Sequence, residues 1–430
     1  MFIKKILPVA LAFGTAWAAR GQIGHEYGAA WAGGIGVLAM IAVSGRADWY
    51  RRLPVIVALG AIGWGVTGCV SYGKVVGYGH MGDYINTSYG LLMLLLIGAL
   101  YGFIGGGLTG LALESSDQKK PDWAALITQL TAGGLLGWGL LIYELEWLMT
   151  PPRSELWAAC LGAAAALGWY LYRNGYTNAL RTAWFSALGA GFGFAMGNFL
   201  QRMGNTSGIH FNWWNVMEYS IGFCAGTGMA YGIFKGANWP AESSQPDKMS
   251  NRFGWIFMVA ILPAIVLFEG AGLKTMTDTA RVLGVPDQAG FAFTWQVVMW
   301  IMSGIIALIL SRYYTGLVSK FPTQSRVGIL TIVYLCWYVL ISNFISATWL
   351  TPAFSSQHLY WVNILVIFFL LRKHGAVVHV DHQVSYTKPM IKYWATAIAV
   401  VIILSVVAVQ IGKVNKHTEG RWETKEAFIP

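Results

Sequence analysis

Charged side chains are scarce in this chain, and they sit between long apolar runs. The sharpest case is Arg20-Gly-Gln-Ile-Gly-His25-Glu26-Tyr27, which places three ionisable groups between the apolar runs 6–19 and 28–43. Charges near hydrocarbon are costly and persist mainly where something uses them. With 56% hydrophobic and 11% charged residues and a mean hydropathy of +0.53, the chain falls far below the roughly one-quarter charged content of soluble domains. The bilayer is the solvent this composition implies.

Crossing the hydrocarbon takes about 20 apolar residues as a helix. Runs near 5–20, 27–45, 54–72, 89–113, 123–145, 155–172, 182–200, 213–234, 253–272, 293–311, 327–347, 357–371 and 390–411 meet that length or come close to it. The expected fold is therefore an all-α polytopic membrane protein with about thirteen transmembrane helices. Residues 1–19, with Lys4, Lys5 and an Ala-Trp-Ala ending, also resemble a cleaved signal peptide. A retained helix is preferred, because cleavage would remove half of the first repeat described below. Basic residues set the orientation. With the N-terminus cytoplasmic, the cytoplasmic segments hold 19 Lys and Arg and the opposite side holds 10, four of them in the C-terminal tail. This predicts a bacterial-type inner-membrane protein with its C-terminus external.

Four segments share one plan, a Gly-rich helix, a polar external turn and a second Gly-rich helix. The first is 6–43. The second runs from Gly63-Trp64-Gly65 through Gly79-His80-Met81-Gly82-Asp83-Tyr84 to Gly105-Gly106-Gly107. The third runs from Gly137-Trp138-Gly139 through Met149-Thr150-Pro151-Pro152 to Gly168-Trp169. The fourth has Gly191-Phe192-Gly193, a turn at 201–212 and a helix at 222–231. This pattern reads as a duplicated helical hairpin, with repeats related by an axis along the membrane normal. The domain expectation is a repeat-built unit at 1–235, a cytoplasmic linker at 236–252, a bundle of about five helices at 253–411 and a polar tail at 412–430. The stripes Gly102-x3-Gly106-x3-Gly110, Gly189-x3-Gly193-x3-Gly197 and Gly222-x3-Gly226 read as close-packing faces.

Several functions are excluded or unsupported. The basic residues are dispersed, which argues against nucleic acid despite a net charge of +10. Cys69, Cys160, Cys224 and Cys336 show no CxxC or metal spacing and read as buried small hydrophobes. His25-Glu26 lacks the second histidine of a metallopeptidase helix, since Ala29 stands there. His374, His379 and His382 flank Asp381 in a loop read as solvated. No nucleotide or dinucleotide motif appears, so no cofactor or metal is expected.

The chemistry-bearing residues gather at helix ends on the external side. They are Arg20, His25, Glu26, His80, Asp83, Glu144, Glu146, Arg202, His210 and Glu218, joined by the aromatic and amide segment Trp213, Trp214 and Asn215. If the hairpins stand side by side, these groups share one layer, where pKa values shift and a proton can be exchanged with a solute. Rings beside amides and an acid suit a polar ring compound. The expected function is a secondary transporter for a small polar solute, with sugars and sugar acids as the class in view. The alternative is a membrane-embedded enzyme modifying a glycan or lipid-linked substrate at the external face. The expected partners are membrane lipids and the solute.

Overall fold

The computed structural model describes residues 2–151, 155–235, 239, 247–319, 324–351, 354–372, 387–411 and 420–422. It is all-helical, 84% helix with no strand among the described residues. In chain order the α-helices are α1 (Phe2–Arg20), α2 (Glu26–Ser44), α3 (Ala47–Arg51), α4 (Leu53–Val66), α5 (Gly73–Tyr78), α6 (Tyr84–Glu114), α7 (Trp123–Trp138), α8 (Leu156–Arg173) and α9 (Thr177–Thr206). They continue with α10 (Trp213–Phe234), α11 (Lys248–Ile256), α12 (Leu262–Glu269), α13 (Leu273–Val282), α14 (Gln288–Ser319), α15 (Gln324–Ile345), α16 (Ser356–Arg372) and α17 (Thr387–Gln410). Seven stretches among the described residues are long and apolar enough to cross a membrane, and Leu53–Cys69 and Ser356–Arg372 are shorter apolar helices. These are the features of a multi-pass membrane protein.

Local chemistry sets the helix ends. Asp83, Asp122, Asn212 and Asp247 each accept a backbone N–H from the first turn of the helix they precede, the preferred role of Asp and Asn at an N-cap. Gly45 ends α2 at φ 75°, a left-handed conformation that glycine adopts without a Cβ penalty. Three apolar runs are not simple α-helices. α7 continues as a π-helical turn over Gly139–Glu144, and α11 joins α12 through a π-helical turn over Phe257–Ile261. The run read as 54–72 instead leaves the α-helix at Val66 and tightens into a 3-10 turn over Thr67–Cys69. The stretch after α12 also carries α13, a short helix between two apolar runs.

Six helices close a ring. α1 packs on α2, α2 on α4, α4 on α6, α6 on α9, α9 on α10 and α10 back on α1. Glycine sets how close they come. A Cβ on Gly102 would lie 2.1 Å from the Ser186 carbonyl oxygen, and one on Gly98 would lie 2.5 Å from that of Ala190. Gly189 and Gly228 meet backbone to backbone between α9 and α10, as Gly222 and Gly14 do between α10 and α1. Lipid tails are as apolar as the helices, so such contacts supply the adhesion that water would otherwise drive.

Aromatic side chains fill the ring. Phe13, Trp17, Trp64, Tyr101 and Phe194 are buried and meet mostly edge to face, with ring centroids 4.8–6.4 Å apart. Small residues on the facing helices make the space. Gly33 and Gly105 lie against Trp64, Gly36 against Phe13, and Gly222 against Trp17.

Two groups of helices flank the ring. α15 packs on α2 and α1, α16 on α1, and α11 on α4. α2 is thereby enclosed, and Trp31 meets Tyr334, Trp337 and Tyr338 of α15. The α7–α8 hairpin stands outside the ring against α6 and α9, and α17 also packs on α6 and α9. Polar contacts tie the loops together at each end. At one end Arg52 donates to the Ser115 carbonyl at 2.6 Å, and Lys119 to that of Gly175 at 2.6 Å. At the other, Tyr89 donates to the Met149 carbonyl at 3.0 Å, and Arg421 to that of Leu148 at 3.2 Å.

Gly102→Ala is expected to push α6 from α9 and cost about 1–3 kcal/mol. Gly304→Ala, at a position with nothing within 4 Å of an added Cβ, is expected to be neutral or stabilising by up to about 1 kcal/mol. Thermal unfolding of the two variants in detergent checks both outcomes.

Candidate functional site

Arg20 is the last residue of α1, where the negative end of the helix dipole favours a cation. Its side chain is 1% exposed, and one guanidinium nitrogen lies 2.8 Å from Oε2 of Glu218, also 1% exposed. Glu218 stands in the second turn of α10. Its other oxygen accepts the Tyr72 hydroxyl at 2.8 Å, and the Arg20 guanidinium also donates to that hydroxyl. The second guanidinium nitrogen faces His25 Nδ1 at 3.2 Å and the His25 carbonyl at 3.4 Å. The guanidinium lies 4.8 Å from the Trp17 ring, a cation–π contact. Tyr72 in turn meets the edge of His25 at 5.2 Å. Gly28 lets the arginine pass, since a Cβ there would lie 2.6 Å from Arg20 Cγ.

This cluster continues across the seam between the ring and α15–α16. Tyr338 of α15 donates to the Gly28 carbonyl at 2.9 Å, and Ser342 to that of Ala19 at 3.2 Å. Gln357 of α16 accepts from Ser342 at 3.1 Å and from Asn343 at 3.0 Å, while Trp361 donates to Asn343 at 3.1 Å. Asn215 of α10 donates to the Ser356 hydroxyl. Some buried atoms here have no hydrogen-bond partner among the described residues, namely Arg20 Nε, Asn215 Oδ1 and Gln357 Nε2. Buried polar atoms are ordinarily satisfied, so three orphans along one seam mark a place suited to a polar guest.

Of the residues expected from the sequence, Arg20, His25 and Glu218 converge, with Asn215 on the same face of α10 near the seam. Glu26 is exposed at the first position of α2, and only its backbone is closely packed, against Gly68. A second, separate cluster holds His80 and Arg202. Arg202 donates to the Gly79 carbonyl at 3.0 Å and to Thr87 at 3.4 Å, and Asn198 pairs with His80 Nε2 at 3.2 Å. Asp83 caps α6 and holds Asn86, which binds the backbone of Arg421 and Trp422. Glu144 and Glu146 are exposed on the outlying hairpin, and His210 is exposed in the α9–α10 turn. Trp213 covers Gly204 and donates to the Ile209 carbonyl at 3.0 Å, and Trp214 packs against the core. One shared layer of all thirteen residues is therefore not what these positions form.

Sequence reasoning missed Tyr72, Tyr338, Ser342, Asn343, Ser356 and Gln357. Ser342-Asn343 carried a readable signal, two polar residues inside the apolar run 327–347. Glu155 was missed too. It accepts the N–H groups of Met149 and Thr150 and the Trp157 indole, which fixes the outer turn of the α7–α8 hairpin.

Electrostatics sharpens the contrast between the histidines. Desolvation, then the Arg20 charge, lowers the His25 pKa, which favours neutral imidazole beside the guanidinium. Burial pushes His80 down to about 4, and the Arg202 charge acts in the same direction. Among the described residues no three His, Cys, Asp or Glu side chains are grouped to hold a metal. His374, His379, Asp381 and His382 lie outside the described residues.

No family model matches the chain, and neither a curated protein nor a solved structure matches it.

Glu218→Ala leaves a buried guanidinium uncompensated and is expected to cost about 3–5 kcal/mol, whereas Arg20→Met with Glu218→Leu should recover most of that loss. Unfolding of the single and double variants in detergent measures the difference. His80 binds its proton less readily folded than unfolded. Its contribution to stability is therefore complete above pH 6.5 and is lost as pH falls toward about 4. Wild type is expected to lose more stability than His80→Asn between pH 7 and pH 4, which melting curves across that range will show.

Proposed function

We propose that this protein is a secondary transporter for a small polar solute of the sugar or sugar-acid class, set in a bacterial-type inner membrane. The observation that carries this reading is the buried Arg20–Glu218–Tyr72 cluster on the seam between two helix groups. A seam is where two packed bodies can rock, exposing the same residues to either face in turn. Arg20 would bind a carboxylate or ring hydroxyl, Asn215 and Gln357 would offer their unpartnered atoms to further hydroxyls, and Trp17 and Tyr72 would face the ring. Glu218 is the proton-coupling group in this scheme. Its charge would hold Arg20 in position for the solute.

The topology we infer has thirteen crossings, a cytoplasmic N-terminus and an external C-terminus. It is supported by the helix order and by the concentration of basic residues at one end. The ring hairpins α1–α2, α4–α6 and α9–α10, with α7–α8 outside, are read as copies of one ancestral hairpin. One feature favours the second reading, an external-face enzyme. The aromatic plug of Trp17, Trp64, Tyr101 and Phe194 lies beneath the cluster, and the exposed His25 and Glu26 lie above it.

Thermal unfolding of the purified protein with D-glucose, D-glucuronate and D-gluconate tests the site, followed by counterflow in proteoliposomes. Wild type is expected to be stabilised by at least one of these and to accumulate it unchanged, and Glu218→Gln to lose both effects. Chemical conversion of the solute without accumulation would establish the enzyme reading instead. Equal stabilisation of wild type and Glu218→Gln would remove the cluster from the binding site.

A further inference from the structure

Cys69 and Cys160 stand 91 positions apart in the chain, yet their sulfurs lie 3.7 Å from each other. Cys69 ends the 3-10 turn after α4, and Cys160 lies in the second turn of α8. Cys69 is partly exposed and Cys160 is buried. The contact joins the ring to a hairpin that otherwise rests on its outside. We propose that Cys69 and Cys160 are a modification site, oxidised by an external disulfide-bearing thiol oxidant to a disulfide that staples α8 to the end of α4.

The chemistry balances within thiol–disulfide exchange. The partly exposed Cys69 thiolate attacks one sulfur of the oxidant, the oxidant's S–S bond breaks, and one thiolate leaves. The Cys160 thiolate then attacks Cys69 Sγ, and the second thiolate leaves. The protein pair loses two electrons, the oxidant gains two, and the protons of Cys69 and Cys160 end on the two released thiols. The sulfurs need to close by about 1.7 Å to reach bonding distance, a movement within reach of side-chain rotation.

The staple falls beside the candidate site. Gly68 precedes Cys69, and a Cβ on it would lie 2.4 Å from the Glu26 backbone. Three residues after Cys69 comes Tyr72, whose hydroxyl holds Glu218. Oxidation therefore adds a covalent tie to the segment that positions Tyr72, which the reduced protein holds by packing and hydrogen bonds. The choice of oxidant rests on the orientation proposed above, which puts this end of the helices outside, where disulfides persist.

Purified wild-type protein, reduced and then incubated with oxidised glutathione, is alkylated, digested with trypsin and mapped by mass spectrometry without reduction. The expected product is peptide 53–74 joined to peptide 154–173, bounded by Arg52, Lys74, Arg153 and Arg173. Cys224 and Cys336 should remain as alkylated thiols. The oxidised form should melt several degrees above the reduced form, and Cys69→Ser and Cys160→Ser should each abolish both the linked peptide and the shift. Full alkylation of Cys69 and Cys160 in the oxidised wild-type sample would overturn the proposal, and needs no variant to fold. Labelling of Ser207→Cys with a membrane-impermeant maleimide on intact cells reports the orientation separately. A Ser207→Cys that is protected from outside would refute an external oxidant, while the peptide map still decides whether the pair forms.

Discussion

Close backbone approach is the constraint on which the rest of this structure depends. Helices in lipid gain little from hiding apolar side chains, so they adhere through contact area and through the distance at which backbones meet. α6 meets α9 along Gly98, Gly102 and Gly106, and α9 meets α10 along Gly189, Gly193 and Gly197. The same economy of side chains opens space inside the ring. Trp64 occupies what Gly33 and Gly105 leave empty, and Trp17 does so at Gly222. Inside the ring, glycine and tryptophan are thus two halves of one packing solution.

Above this plug lies a charge cluster that the surroundings would otherwise forbid. A buried guanidinium and carboxylate lose hydration, and their attraction offsets that loss only with good geometry and further hydrogen bonds. Both conditions hold at Arg20, which has Glu218, Tyr72, His25 and the Trp17 ring around it. Such a pair is weak as a device for stability alone. An apolar pair of similar volume would serve as well. Its presence, beside unpartnered atoms of Asn215 and Gln357, makes the seam rather than any surface patch the centre of the proposed chemistry.

Part of this was readable in one dimension. Arg20, His25 and Glu218 stand out because ionisable groups next to apolar runs are conspicuous. The three glycine stripes were also legible as faces, because a period of four residues returns to one side of a helix. Glu144 and Glu146 showed the limit of that reasoning. They satisfy the same criterion as Glu218, yet they sit on the hairpin that the ring leaves outside. Position along a repeat says how deep a residue lies and nothing of which neighbour it faces. Tyr72 and Tyr338 escaped for the opposite reason, since a tyrosine at the edge of an apolar run or within one is unremarkable until a carboxylate or a carbonyl is set before it.

The amino-acid order by itself determined that the chain is helical and apolar enough for a bilayer, where the runs fall and which residues bear charge. These follow from local properties, hydropathy over about 20 residues and side-chain chemistry, that need no partner to be defined. Tertiary structure alone decided that α1, α2, α4, α6, α9 and α10 close a ring, that α7–α8 and α17 lie against its outside, and that Arg20 meets a glutamate 198 residues away. Those outcomes depend on which backbones can approach most closely, a property of pairs of surfaces that no single segment contains.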